Sequence, residues 1–250
     1  MDTLGVLQLA WPHIGLGIGI VIIMLMFATD TLRSDTTRSR WRDPVWLAWA
    51  MAAAYLLHVF EEYGAHIVDG QFLLVRTFEE MGVSDMFGGI PWFFFPYVNI
   101  LFTWIALPLA AHIARRNPVI GLSGLGFVLM NGITHIGGSI ALGQSPLENP
   151  GSITGIILFL GLFIWTVYVC KKDALLPPKG LVIAITSGVV AHLGLFSIYA
   201  VNLGLGHVAS AIWTPVVAFL AIIVSWLLCK AFHIAFPKET PFNSLGAKTD

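Results

Sequence analysis

The chain has 250 residues, of which 57% are hydrophobic and 11% charged, and its mean hydropathy is +0.82. A water-soluble domain carries roughly a quarter charged residues, so the composition excludes that class and points to an integral, multi-pass protein of the lipid bilayer. The net charge is −1, and the basic residues are sparse and confined to connectors, which gives nucleic-acid binding no support.

Seven apolar runs are long enough to cross about 30 Å of hydrocarbon, at 12–30, 45–68, 91–113, 118–140, 152–170, 180–204 and 208–232. The expected fold class is all-α, a polytopic transmembrane bundle of about seven helices forming one membrane domain over 1–250. The first run lacks a basic n-region, so it reads as a retained helix and not as a cleaved signal peptide. Pro44, Pro91 and Pro118 stand at the starts of three spans, where a missing N–H costs nothing. RSDTTRSRWRD, ARRNP and KKDALLPPKG are polar connectors, and 69–90 is a longer loop with room for a short surface helix. GLGIG (15–19) and GLSGLG (121–126) fall inside spans and read as packing faces, not phosphate loops. PWFFFPY (91–97) reads as an interfacial aromatic belt that could also line a lipid access path. Cys170 and Cys229 form no metal or redox motif and read as buried thiols.

Charge bias orients the chain. Connectors 31–44, 114–117 and 171–179 and the tail hold twelve of the thirteen basic residues, while the alternate loops hold only Arg76. The positive-inside rule then predicts an outer N-terminus and a cytoplasmic C-terminus.

LLHVFEEYGAHI (56–67) places Glu61 and Glu62 between His58 and His66 in an otherwise apolar run. An ionised side chain near the bilayer centre costs at least ~2.5–3.5 kcal/mol on insertion scales, so such groups mark function. At a rise of about 1.5 Å per residue, His58, Asn131, His135 and His192 lie near the midplane of their spans. Tyr97 and Asn99 lie in the outer half of the third span, and His13 and His207 near outer helix ends. These residues are expected to converge on one layer between midplane and outer surface. Gly137, Gly138 and Gly194 beside the histidines are expected to let helices approach closely.

On a helix His58 shares a face with Glu62, and nearly with Glu61. Adding His135 and His192 gives three imidazoles and one or two carboxylates, a set suited to a transition metal, zinc or iron before copper. Ligation would also compensate the buried carboxylates. Adjacent helical residues point ~100° apart, so Glu62 is assigned to the ligand shell and Glu61 to a general base or second ligand. Asn131, Asn99, Tyr97 and His66 are expected as supporting or substrate contacts, His66 lying closer to the outer surface. For His192 a satisfied core histidine is the competing reading.

HVFEE (58–62), NGITH (131–135) and ENPGSITG (148–155), in that order, resemble the motifs of the HXXEE-domain membrane proteins. Glu148 stands where that pattern has Tyr, so a tyrosine proton donor is lost here or its role has passed to Glu148 or Tyr97. The resemblance implies a helical membrane fold and a metal-dependent enzyme, with no substrate. The sequence reading is an outward-facing metal site, hydrolytic or redox, acting on a lipid-soluble or small amphipathic substrate. The alternatives are a proton- or cation-coupled transporter or channel using the same cluster, and a non-catalytic subunit of a larger membrane complex or oligomer.

Overall fold

The computed structural model describes residues 3–65, 67, 68, 71–80, 82 and 94–234. In chain order these form α1 (Thr3–Ala28), α2 (Pro44–Tyr63), a two-residue hairpin of β1 (Ile67–Val68) and β2 (Gln71–Phe72), α3 (Leu73–Glu80) and α4 (Phe94–Ile113). There follow α5 (Pro118–Leu142), α6 (Ser152–Lys172), α7 (Pro178–Ala218) and α8 (Leu220–Ala231). Six of these, all but α3 and α8, are long and apolar enough to cross a membrane. The fold is all-helical apart from the small hairpin, as the apolar runs predict.

The 41-residue α7 is not straight. At Gly206 the backbone turns to φ 84°, ψ 176°, a region open mainly to glycine, and the chain folds back on itself. Ser210 Oγ donates to Ile198 O (3.2 Å), and Trp213 Nε1 donates to Ser197 Oγ (2.8 Å). A Cβ on Gly194 would meet Val217 and Leu220 at 3.0 and 3.1 Å. Partners that move apart symmetrically about residues 204–206 define two antiparallel arms, which correspond to the sixth and seventh apolar runs.

The second span is shorter than the hydropathy suggests. Asp43 caps its start by accepting from Val45 N and Trp46 N, and Pro44 occupies the first turn. The other carboxylate oxygen of Asp43 accepts from Ser34 N, Ser34 Oγ and Asp35 N, which ties the connector onto the helix. The helix stops at Tyr63, where Gly64 N donates back to Phe60 O at 2.7 Å, and not at 68. His58 and Glu62 therefore sit in its last two turns, near one end of the bundle and not at the helix centre.

The basic connectors gather at the opposite end. Arg115 donates to the backbone oxygens of Arg33 and Thr31, Arg42 pairs with Asp173 at 3.4 Å, and Arg40 caps α1 by donating to Met26 O and Phe27 O.

α5 and α7 pack backbone to backbone. A Cβ on Gly126 would stand 1.8 Å from Ile185 O, and one on Gly188 2.4 Å from Ser123 O. Gly15 and Gly19 lie against the side chains of Trp104 and Leu56, while Gly17 faces open space. Of the three glycines beside the histidines, Gly194 and Gly138 make close contacts and Gly137 meets nothing within 4 Å. Both cysteines are buried free thiols.

Candidate metal centre

The helical spacing of His58 and Glu62 puts both on one face of α2, and α5 brings His135 across to them. Glu62 Oε1 lies 3.2 Å from His58 Nε2 and 3.0 Å from His135 Nε2. The two imidazole rings meet edge to face with centroids 4.8 Å apart. Among the described residues, one ligand atom from each of these three side chains lies within 4.8 Å of the other two. His58 is fully buried and Glu62 is 7% exposed. Phe159 and Tyr55 pack on the His58 ring at 4.5 and 5.8 Å.

Glu61 points elsewhere. It accepts from Ile153 N (3.0 Å), Thr154 N (2.8 Å) and Thr154 Oγ1 (2.5 Å), so its carboxylate closes the exposed N–H groups at the start of α6. All three partners are donors. Thr154 Oγ1 also lies 2.8 Å from His58 Nδ1. A hydroxyl has one proton. That proton goes to the short charge-assisted bond with Glu61 and not to Gly151 O at 3.4 Å. Thr154 Oγ1 must then accept from His58 Nδ1–H. The chain Glu61–Thr154–His58 leaves Nε2 as the variable nitrogen of His58, and it is buried at the cluster without an aligned hydrogen bond although Glu62 Oε1 is 3.2 Å away.

A lone pair on Nε2 facing a carboxylate oxygen at that distance is repulsive unless a positive charge lies between them. A proton on the imidazole or a metal ion meets that need. Two imidazoles and one carboxylate are the donor set of catalytic zinc sites and of non-haem iron sites. An orienting hydrogen bond on the far ring nitrogen is the usual companion of a ligating histidine. The residues present fit a metal ion.

Gly151 closes the site from the α5–α6 connector. Its φ of 83° is left-handed, and a Cβ there would stand 2.6 Å from His135 Cε1, 2.8 Å from His58 Cε1 and 2.9 Å from Glu62 Cγ. The turn at Pro150–Gly151 is thus also a wall of the cluster. Ser139 Oγ and Ser152 Oγ, 3.1 Å apart, hold the start of α6 against α5.

Glu62 and His135 open on a cavity of about 360 Å³. Tyr63, Phe94, Phe95, Phe196 and Tyr199 line it, with Val98 and Leu195 among its other apolar groups, and Asn99, Asn131 and His192 add polar groups. Phe94 and Phe95 are buried there, so this part of the aromatic run is cavity wall and not an interfacial belt, and residues 91–93 lie outside the described residues. His192 lines the cavity but is not one of the three clustered residues; it stacks edge-on to Phe127, and its Nδ1 has no partner. Asn131 Oδ1 is likewise buried and unpartnered, while Asn99 Nδ2 donates to Phe95 O.

Tyr97 turns away to donate to Ala211 O (3.1 Å). Glu148 is exposed and accepts from Ser145 N (2.8 Å), a bond that holds its carboxyl below the usual carboxylate range. Neither lines the cavity, where the tyrosines are Tyr63 and Tyr199. His66 lies outside the described residues. Sequence reasoning did not find the roles of Thr154 and Gly151, although both lie in ENPGSITG (148–155).

Residues 49–166 match the family described as "Protein of unknown function with HXXEE motif". No curated protein and no solved structure matches the chain.

Proposed function

We propose, from the premise that the chain carries an HXXEE domain over residues 49–166, that it is a multi-pass membrane protein and a metal-dependent enzyme. His58, Glu62 and His135 would hold a zinc or iron ion beside the cavity. The observation that carries this reading is the meeting of three ligand atoms within 4.8 Å around a buried, unbonded His58 Nε2. A bound ion there would supply Lewis acidity or, if iron, redox chemistry. The protein's part is to orient His58 through Thr154 and Glu61, to exclude bulk water with the aromatic wall, and to seat a lipid-soluble or small amphipathic molecule against Glu62 and His135. The outward-facing leucines, isoleucines, valines and phenylalanines of the long helices, among them Val21 at 55% and Ile164 at 65% exposure, support a lipid surround.

Metal analysis of the purified protein by mass spectrometry is the direct test, with about one zinc or iron per chain expected. A wild type without metal would move the lead to the second reading, a proton or cation relay through His58, Glu62 and His135. The mostly apolar cavity favours substrate binding over a watered relay.

The gathering of basic connectors at the end opposite the site supports an outer N-terminus, a cytoplasmic C-terminus and a site toward the outer face. A periplasm- or lumen-active reporter fused to the C-terminus should stay silent, and the same reporter at the N-terminus should be active. The reverse pattern would invert the orientation.

A further inference from the structure

We propose that the cavity is filled sideways from the bilayer, through a mouth between α5 and the first arm of α7, by a single-chain lipid whose tail stays in the membrane. The inference rests on reading the cavity as the substrate pocket of the site, and not on the metal itself.

The way α5 and α7 cross makes the mouth. The two helices touch backbone to backbone at Gly126 and Gly188, and beside this crossing the Phe127 ring meets His192 edge-on at 5.1 Å. Further along, their residues border the cavity: Asn131, Thr134 and Gly138 on α5, and Leu195, Phe196 and Tyr199 on α7. Thr134 and Phe196 border it and are also exposed, Phe196 to 51%, so the cavity reaches the surface between them. Thr134 stands about 12 Å in from the end of α5, and Phe196 about 15 Å in from the turn at Gly206. Both distances exceed the roughly 5–8 Å headgroup layer that flanks the hydrocarbon on each side.

The surface around the mouth suits lipid. Residues 124–142 and 180–204 contain no Asp, Glu, Lys or Arg, and Ile133 and Leu193 beside the mouth are exposed. The Thr134 hydroxyl donates to Asn131 O (2.8 Å) within its own helix, so it can face hydrocarbon with its proton satisfied. Two other sides are covered. After the hairpin, α3 lays Leu74 and Thr77 over the cavity, both buried, and turns the Arg76–Glu80 pair (3.2 Å) outward. α4 closes on α7 through the Phe94 and Tyr199 rings, 5.0 Å apart, and the bond from Tyr97 to Ala211 O. A chain passing from lipid into an aromatic-lined space exchanges one apolar surround for another, whereas a route through water exposes every methylene. At about 360 Å³ the cavity lies at the small end of the ~300–1,000 Å³ typical of small-molecule sites, which admits one chain. Open at its side, it needs to hold only the head and first carbons, so chain length is not selected.

The test is photolabelling of the full chain in lipid nanodiscs, with attachment sites read by mass spectrometry and metal content measured on the same samples. Hexadecanol and decanol carrying a diazirine at carbon 3 are the bilayer probes, and the water-soluble diazirine amino acid photo-leucine is the aqueous one. Both alcohols should attach to Tyr63 and Phe95, which are buried and line the cavity. The two should agree within about twofold and exceed photo-leucine at least tenfold. Thr134→Trp should fill the mouth and lower that attachment at least tenfold, while attachment to exposed Ile164 on α6 stays within about twofold. In the wild type alone, no attachment at Tyr63 and Phe95, equal attachment from photo-leucine, or a tenfold preference for decanol would overturn the proposal. Unchanged attachment in folded Thr134→Trp would do so as well. Attachment through the mouth in a protein without metal would retain this inference and remove the metal reading; bound metal without attachment would do the reverse.

Discussion

Gly151→Ala is expected to disable the site while leaving the bundle folded. A non-glycine residue in the left-handed region costs roughly 1–2 kcal/mol, and the added Cβ would stand 2.6 to 2.9 Å from carbons of His135, His58 and Glu62 at once. None of the three can yield without opening the cluster, because His58 is held by Thr154 and packed under Phe159. Metal affinity should fall at least ~100-fold, in line with damage to ligand orientation. Gly161→Ala is the control, since a Cβ there meets nothing within 4 Å and should change neither metal content nor melting temperature. Normal metal content in Gly151→Ala would show that the cluster does not hold the ion.

The two adjacent glutamates should separate just as sharply. Glu62→Gln removes the oxygen shared by His58 and His135, and metal content should drop below about a hundredth of wild type, a change of about 2.7 kcal/mol or more. Glu61→Gln acts at a distance. It replaces one acceptor oxygen facing Ile153 N or Thr154 with a donor, which loosens the start of α6 and the orientation of His58. Metal affinity should weaken about 10- to 100-fold without being abolished, and Thr154→Ser, which keeps the hydroxyl, should restore more of it than Thr154→Val. If Glu61→Gln lost as much metal as Glu62→Gln, the orienting role would be wrong and Glu61 would rank as a ligand.

The sequence carried much of this site. The i, i+4 spacing of His58 and Glu62 fixes their common face on any helix, and the ~100° between neighbours already required Glu61 and Glu62 to differ. What Glu61 touches was not legible, because its donors come from a turn 92 and 93 residues away in sequence. His192 shows the same limit. Its depth in the sixth span places it near the cluster, yet depth fixes no azimuth, and its ring turns into the cavity beside Phe127. Glu148, which stands where the family pattern has Tyr, and Tyr97, the other candidate for that tyrosine's role, both bond elsewhere.

By itself the sequence determined the helical class, the apolar passes, the segregation of basic connectors and the pairing of His58 with Glu62. Each follows from local chemistry: lipid admits only segments that satisfy their own backbone, and helical periodicity is fixed by the backbone. The tertiary structure alone decided where the second span ends, that His135 meets Glu62, and that Gly151 closes the cluster. It also decided that Thr154 links Glu61 to His58. Those outcomes depend on the rotation and separation of α2, α5 and α6, which are set by close contacts such as Gly132 against Gly155. Such contacts couple residues far apart in the chain, and hydropathy, which averages along it, does not contain them.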